Sequence, residues 1–501
     1  MLWMTAGSGG QIALQLIVLA VLARLVTPEQ FGVVAVTLIA VSLTQILVDG
    51  GVGPALVQMK DLTVAHIRVG FTLSVLLAVV AWAVVATGAS TFETILGVEG
   101  VTQVLRVIAL IFVIQSLTLG EYLLARRLEF RRLAIVDLVA YLLGYGVVAI
   151  TLAVLGFGEW AIVAGQLGQA TIRTIVLVIL SPHPCKPLLR QPEAGELLGY
   201  GGGHTLARIA NWVAREGDNF VVGRTLGAAA LGLYTRAYQM MALPANLFGK
   251  AADQVLFPAM AAVQDDTTKL ARAYLRTVML IALLALPASA IAAVVSTEAI
   301  VVLLGSDWLP LRAAFDIMVF GILFRTSYKV SDSLARATGA VYRRAWRQVC
   351  YALLVLVGAG LGQMWAGIRG VAIGVLVALT VNFLLMAQLS LAVVGASWRE
   401  FGRAHVPGLI TTVLATGVAA AVSALLRPAD APPIVILLCV PVAVLATALF
   451  MIRNAPRVPY IRPVREAVQD LVGMFEGRGS RLLRVLLGPT YRLPEQVHVD
   501  V

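Results

Sequence analysis

The chain has 501 residues, of which 59% are hydrophobic and only 13% are charged, and its mean hydropathy is +0.90. Soluble domains carry about 25% charged residues, so this composition is typical of a membrane protein. The net charge of +11 would suggest nucleic-acid binding in a soluble chain. Here no basic run is interleaved with aromatic residues, which excludes that class. Basic loops on one side of a membrane explain the charge better.

Apolar stretches long enough to cross a bilayer occur fourteen times. They lie near 2–25, 31–57, 69–88, 103–124, 133–155, 158–180, 197–223, 229–252, 273–297, 311–336, 344–365, 368–394, 405–426 and 433–452. The first stretch lacks a cationic start and a small-residue cleavage pattern, so we expect it to remain as a span. The three cysteines have no metal-binding spacing. We therefore predict no metal and no cofactor.

Basic residues concentrate in alternate loops. One set of loops holds Lys60 with Arg68, the Arg126–Arg132 cluster and Arg343–Arg347, whereas the other set is mainly acidic. Arg312, Arg369 and Arg427 are exceptions that do not reverse the bias. The positive-inside rule then predicts that both termini are cytoplasmic.

An internal repeat is visible at an offset of 200 residues. The segment from Val21 to Gly32 aligns with the segment from Val221 to Gly232. We therefore predict an all-α polytopic protein of two six-helix lobes related by a pseudo-twofold axis along the membrane normal. The N-lobe is 1–196, the C-lobe is 197–397, two additional spans occupy 398–452, and a basic cytosolic tail covers 453–501.

Three C-lobe helices carry polar stripes at helical spacing. A charge at the bilayer centre costs at least about 2.5–3.5 kcal/mol, so such residues face a protein interior or an aqueous cavity. The seventh span carries His204, Arg208, Asn211, Arg215 and Asp218; the eighth carries Arg236, Gln239, Asn246, Lys250 and Asp253; the tenth carries Arg325, Lys329, Asp332 and Arg336. The excess of cations predicts an anionic cargo.

The corresponding N-lobe face is polar but uncharged, which suits a hydroxylated portion of the same cargo. Its wall consists of Ser8, Gln11, Gln15 and Gln45, joined by Asn211 from the C-lobe. The cationic wall consists of Arg208, Arg215, Arg325, Lys329, Arg236, Lys250 and Arg24, although Arg24 could equally extend to the membrane interface. Asp49, Asp218, Asp253 and Asp332 could bind a coupling cation or could be counter-ions, and the pattern leaves both roles open.

Catalytic signatures such as HExxH, a phosphate-binding glycine loop or a nucleophile elbow are missing from the sequence. We predict a transporter rather than an enzyme. Its energy would come from an ion gradient, the membrane potential or the substrate gradient.

Several segments resemble polysaccharide-export flippases, the Wzx-type proteins of the multidrug/oligosaccharidyl-lipid/polysaccharide exporter superfamily. These are residues 22–32 and 49–58 in the first half, and residues 218–224, 231–238, 256–259 and 305–310 in the second. The resemblance implies paired six-helix bundles in a bacterial plasma membrane, which move a lipid-diphosphate-linked oligosaccharide outward by alternating access. It places Asp218, Arg224 and Arg236 in the family's marked stretches.

The resemblance also implies partners, namely the lipid-linked substrate, membrane lipids, a polysaccharide polymerase and glycosyltransferases. Three alternatives remain open at this point. A cation-coupled multidrug exporter of the same superfamily would favour carboxylates and aromatic residues in its site. A membrane-embedded polysaccharide-assembly enzyme would need a sizeable external loop with catalytic residues. A scaffold without transport activity is suggested only by the basic tail.

Overall fold

The computed structural model describes residues 2–49, 52–251 and 256–454, and the side chains of 14–46, 48, 52–197, 211–246, 256–340 and 342–451. All regular elements in these ranges are helical, as the sequence predicts. The helices are α1 Leu2–Leu25, α2 Pro28–Asp49, α3 Val52–Gln58, α4 Val64–Leu96, α5 Val101–Ile108, α6 Leu110–Ser116, α7 Gly120–Arg126, α8 Phe130–Val139, α9 Val148–Val154, α10 Glu159–Leu180, α11 Gln191–Ala251, α12 Phe257–Ala262, α13 Thr267–Val294, α14 Ser296–Leu303, α15 Arg312–Met318, α16 Gly321–Ala337, α17 Val341–Val394, α18 Trp398–Leu426 and α19 Pro433–Asn454. A π-helix at Ala140–Val147 joins α8 to α9, and a 3-10 helix at Ser306–Leu311 precedes α15.

Eight helices of the described chain are long and apolar enough to cross a membrane, or nine if the bent pair of Val101–Ser116 and Gly120–Arg126 is one span. The membrane-protein class is therefore confirmed. The predicted number of fourteen spans stays a prediction. The two numbers differ partly because α17 counts once although its backbone breaks at Ala366 and Gly367. Helix α11, which includes the charged seventh and eighth spans, contains a similar break at Gly227.

Two compact units make up the chain. Unit 1 contains Met1–Ala237, Leu303–Ala314 and Gln348–Val375, and unit 2 contains Tyr238–Val302, Phe315–Arg347 and Leu376–Val501. Their boundaries differ from the predicted lobes because residues 211–237 of α11 pack with the first spans. The division into lobes at residue 196 stays a prediction.

Within unit 1, α2 crosses the second arm of α11 with backbones in direct contact. A Cβ atom on Gly32 would lie 1.8 Å from the Ala228 carbonyl oxygen, and one on Gly232 would lie 1.9 Å from the Pro28 carbonyl oxygen. The four residues form two pairs at the 200-residue offset of the sequence repeat. Gly32 contacts Ala228, and Gly232 contacts Pro28, which lies 200 residues before Ala228. This reciprocal pattern is expected where two repeats meet about a two-fold axis.

The core of unit 2 pairs α13 with α18. The bare backbone of Gly408 lies against α13, where an added Cβ would come 2.6 Å from the Ala282 carbonyl oxygen. Next to this contact, the Phe401 ring packs on Tyr274 and Phe383 at centroid distances of 6.5 and 5.7 Å. Helix α19 covers α18 through a cluster of apolar residues: Val295, Ala419, Ile436 and Val440.

Candidate functional site

Helix α16 of unit 2 presents two cations on one face. The Arg325 guanidinium donates a hydrogen bond to the Tyr238 hydroxyl and lies 4.8 Å from the centre of that ring. Lys329 is half-buried, with its Nζ 5.2 Å from the Tyr328 ring centre. The described residues give Lys329 no carboxylate partner. This face of the helix therefore carries two positively charged groups.

Asp332, one turn further along α16, is 9% exposed and lies between two arginines. Its Oδ2 is 3.2 Å from Nε of Arg336, and its Oδ1 accepts a hydrogen bond from Nε of Arg344. Two guanidinium groups on one carboxylate favour the counter-ion role over binding of a coupling cation, because they repel any further cation.

A second cationic group lies in unit 1. The Arg236 guanidinium is 4.4 Å from the centre of the Phe31 ring, a cation–π contact. Arg236 therefore contacts an aromatic ring, whereas the other charged residues of the predicted stripe on the eighth span, Lys250 and Asp253, have side chains outside the described part of the chain.

The residues of the predicted stripe on the seventh span differ in their exposure to solvent. Asn211 is exposed, and the Arg215 side chain is 71% exposed with its Nη2 3.8 Å from Glu216. Asp218 is only 2% exposed and accepts a hydrogen bond of 2.7 Å from the Tyr234 hydroxyl. This bond joins the two arms of α11 on either side of the break at Gly227. A structural role for Asp218 is therefore favoured over the cavity wall.

The polar wall of the N-lobe is only partly described. Gln15 and Arg24 are exposed, and Gln45 is half-buried. Asn246 on the eighth span is exposed. The remaining predicted site residues have side chains outside the described part of the chain: Ser8, Gln11, Asp49, His204, Arg208, Lys250 and Asp253. Their roles stay predictions.

Aromatic residues around the cations escaped the sequence reasoning. Phe31 contacts Arg236, Tyr238 contacts Arg325 and Tyr141 stacks on Tyr145, yet each is an ordinary residue of an apolar span in the sequence. A signal was present for one pair: Tyr141 and Tyr145 are four residues apart beside Gly144 and Gly146. That spacing predicts two rings on one helical face next to bare backbone.

Residues that carry the family resemblance meet at the glycine crossing. The Trp308 ring is fully buried, donates 2.7 Å to the Ala23 carbonyl oxygen, and packs edge-on against Phe31 at 5.3 Å. Gly32 and Gly232 form the crossing itself. Three of the segments that carry the resemblance, residues 22–32, 231–238 and 305–310, thus meet at this junction, and Arg236 lies within the second of them.

The fold and the site define a multi-span helical membrane protein with cationic side chains held between apolar helices. The chain belongs to the polysaccharide biosynthesis protein family, whose model matches residues 21–313. It is 25% identical over 400 residues to the lipopolysaccharide biosynthesis protein WzxC of Escherichia coli (strain K12), covering 78% of this chain and 80% of that protein. It is 26% identical over 307 residues to the succinoglycan biosynthesis transport protein ExoT of Rhizobium meliloti (strain 1021), covering 61% and 62%.

Two solved structures share the fold. The lipid II flippase MurJ in an inward closed conformation superposes with a TM-score of 0.70 at 14% identity, covering 91% of this chain and 100% of that one. An inward-facing multidrug resistance MATE family transporter has a TM-score of 0.60 at 16% identity, covering 77% and 96%. The predicted family and helical fold class are therefore confirmed.

Proposed function

We propose that this protein moves a lipid-diphosphate-linked oligosaccharide across the bacterial inner membrane by alternating access. Membership of the polysaccharide biosynthesis family supports the class of cargo, as do the names of the relatives in lipopolysaccharide synthesis and succinoglycan transport. The single observation that carries the proposal is Lys329, a half-buried cation on α16 that lies one helical turn after Arg325.

The chemistry of the cargo follows from those cations. A diphosphate supplies negative charge that compensates the Lys329 ammonium group in a low-dielectric environment, where an uncompensated charge is costly. The oligosaccharide would use the amides and hydroxyls of the N-lobe wall, and the lipid tail would stay in the bilayer. The multidrug exporter is a weaker alternative, because a site for cationic drugs would not place Lys329 and Arg325 together.

Placement and partners complete the proposal. Both termini lie in the cytoplasm, because the basic loops are on the same side of the membrane as the termini and basic loops are cytoplasmic. The protein acts as a transporter and not as an enzyme. Glycosyltransferases would build the cargo before translocation, and a polymerase would consume it afterwards.

The proposal is tested by deleting the gene in its own bacterium. We expect loss of the surface polymer and accumulation of lipid-linked repeat units, both restored by the wild-type gene. Lys329→Gln should restore less than a tenth of the export at equal protein level. Lys269→Gln is the matched control, because Lys269 is 68% exposed and forms only a surface pair with Asp266. Normal export after deletion would overturn the proposal.

A further inference from the structure

The turn between α16 and α17 has the same geometry as the turn between α7 and α8 in the first half of the chain. Three residues separate the two helices in each case, and the central one has a left-handed backbone, with φ 59° at Leu128 and φ 70° at Gly339. Arg132 and Arg343 both lie four residues after that central position. The two turns therefore correspond, and their charged residues can be compared position by position.

The corresponding arginine has a counter-ion in the first turn but not in the second. Arg132 forms an ion pair of 2.5 Å with Glu129, and the residue that corresponds to Glu129 is Ala340. Arg343 is exposed, and its side chain forms no ion pair or hydrogen bond with any residue that the structure describes. The second turn therefore presents a positive charge that the first turn neutralises.

Two further arginines follow in the second turn. Arg344 and Arg347 occupy the positions at which the first turn has Leu133 and Val136. Nε of Arg344 donates a hydrogen bond to the Asp332 carboxylate, which a second arginine of α16 also contacts. In the described part of the chain, no other carboxylate forms an ion pair with the arginines of this turn of α17. One shared carboxylate compensates only part of their positive charge.

Arg347 is held within unit 2 by uncharged acceptors. It is 6% exposed and donates hydrogen bonds to the carbonyl oxygens of Leu385 at 2.9 Å and Arg343 at 2.5 Å, and to Oε1 of Gln388 at 3.4 Å. Its guanidinium lies 4.5 Å from the centre of the Trp346 ring. These contacts satisfy its donors but supply no negative charge, so a buried cation lies directly behind Arg343.

The same turn of α17 carries two exposed aromatic side chains. Tyr342 is 91% exposed and Trp346 is 51% exposed. At 100° per residue, these two aromatic residues lie with Arg343 and Arg347 in an arc of roughly 140° on the helix. The apolar segment of α17 that can cross a membrane begins at Tyr342. Tyrosine and tryptophan are enriched where a span enters the lipid headgroups, so we expect this arc at the membrane surface.

We propose that the first turn of α17 binds the headgroup of an anionic phospholipid. Arg343 compensates the charge of the lipid phosphate, Arg344 supplies the guanidinium donors that Asp332 leaves available, and the two aromatic rings pack beside the glycerol region. A zwitterionic headgroup binds more weakly, because its ammonium group is repelled by the same arginines. The site is independent of the proposed function, which assigns the cargo diphosphate to Lys329.

The test measures lipid binding to the purified full-length protein in detergent by native mass spectrometry. The probes are dioleoyl phosphatidylglycerol, dioleoyl phosphatidylcholine and a polyprenyl diphosphate. Wild-type protein should prefer phosphatidylglycerol to phosphatidylcholine, which has the same acyl chains. Arg343→Gln should lower the affinity for phosphatidylglycerol about fivefold, the contribution of one basic residue at a membrane surface. Arg343→Lys keeps the charge and should retain most of the affinity.

Arg132→Gln is the matched control. It removes the same charge from the corresponding position of the first turn, where Glu129 already neutralises it. We expect it to change the affinity for phosphatidylglycerol by less than about twofold. Arg132 and Arg343 are both exposed, so neither substitution disturbs a packed core, and thermal unfolding of both variants should match that of wild type.

Three outcomes would overturn the lipid site. Equal affinities of wild-type protein for the two phospholipids would show that it does not recognise the headgroup charge. Equal losses for Arg343→Gln and Arg132→Gln would show that the basic loops attract lipid in general. If Arg343→Gln weakened binding of the polyprenyl diphosphate and left phosphatidylglycerol unaffected, the turn would bind the cargo instead, and the proposed function would stand without this site.

Discussion

Two helical hairpins of unit 1 invite comparison because they turn in the same way. The first hairpin consists of the π-helix, α9 and α10, and it reverses at Gly158 with φ 55° and ψ −127°. The second lies within residues 348–375 of α17 and reverses at Gly367 with φ 54° and ψ −132°. Positive φ is accessible to glycine without strain, so both turns require it.

The two arms of each hairpin are also in the same register. Counting nine residues before and seven after the turn glycine gives Ala149 and Gly165 in the first hairpin, and Gly358 and Gly374 in the second. Both pairs are in close contact: a Cβ on Gly165 would lie 2.7 Å from the Ala149 Cβ, and one on Gly374 would lie 2.1 Å from the Gly358 carbonyl oxygen. The repeat thus preserves the turn and the small-residue contact.

The difference between the hairpins lies further from the turn. Before Ala149 the first hairpin enters the π-helix, in which Gly144, five residues earlier, is the next glycine to lie against α10. Before Gly358 the second hairpin continues as an α-helix. A common scaffold therefore carries a specialised tyrosine pair in one copy only. The comparison shows that the repeat preserves packing near the turn, whereas the tyrosine pair lies where the symmetry is broken.

The largest expected effect is on the glycine contact of the second hairpin. Gly362→Ala would place a Cβ 2.2 Å from the Gly370 carbonyl oxygen, so the two arms must separate. We expect a loss of roughly 3 kcal/mol in the free energy of unfolding. Thermal or denaturant unfolding in detergent measures it.

Gly360→Ala is the control for this substitution. It lies two residues away in the same helix, and no heavy atom lies within 4 Å of its ideal Cβ. It should be neutral or stabilising, because alanine favours a helix over glycine by about 1 kcal/mol. Equal unfolding transitions for the two variants would contradict the close packing of this hairpin.

A smaller effect is expected in the first hairpin, where the obstacle is a methyl group. Gly165→Ala should destabilise by about 1–2 kcal/mol, since its Cβ meets the Ala149 Cβ. The Ala149→Gly/Gly165→Ala double variant removes that methyl and should recover about 1 kcal/mol relative to the sum of the single variants. A double-mutant cycle on unfolding free energies is the measurement. Strict additivity would show that the two residues do not contact each other.

Much of this fold could be predicted from the sequence, because lipid imposes simple rules on composition and length. The 200-residue offset predicted paired segments, and Gly32 and Gly232 do meet their counterparts reciprocally. What the sequence could not predict was which helical residues belong to one compact unit. Helix α11 divides between the units after Ala237, and hydropathy contains no information on such contacts between distant segments.

The site was predicted less completely, for a related reason. Periodicity assigns residues to one helical face, but it does not give the depth or the partner of a side chain. Arg215 and Asp218 are on adjacent turns, yet one is exposed and the other is bonded to Tyr234. The four-residue spacing of Tyr141 and Tyr145 places the two rings on one helical face, but a pattern based on 3.6 residues per turn could not predict that this segment is a π-helix.

The ends of the hairpins differ as well, and this gives the smallest predicted effect. Helix α17 ends at Gly395 in a left-handed cap, whereas α10 continues into a loop in which His183 Nε2 accepts a 3.0 Å hydrogen bond from the Leu119 backbone N–H. Accepting this bond requires an unprotonated Nε2. Burial lowers the pKa of His183 below its usual value near 6.5, in agreement with that bond.

The sign of the pH dependence follows from this lowered pKa. An unfolded chain takes up a proton at His183 near pH 6.5, whereas the folded protein resists protonation until lower pH. The stabilisation is therefore present above about pH 6.5 and is lost as the pH falls through the pKa of the folded state. Wild-type protein should lose more thermal stability between about pH 7.5 and 5.5 than His183→Gln, whose amide oxygen can accept the same bond but does not titrate. Parallel pH profiles for the two proteins would show that this loop contact makes no pH-dependent contribution. A steeper wild-type profile would locate that pH dependence at the end of the first hairpin.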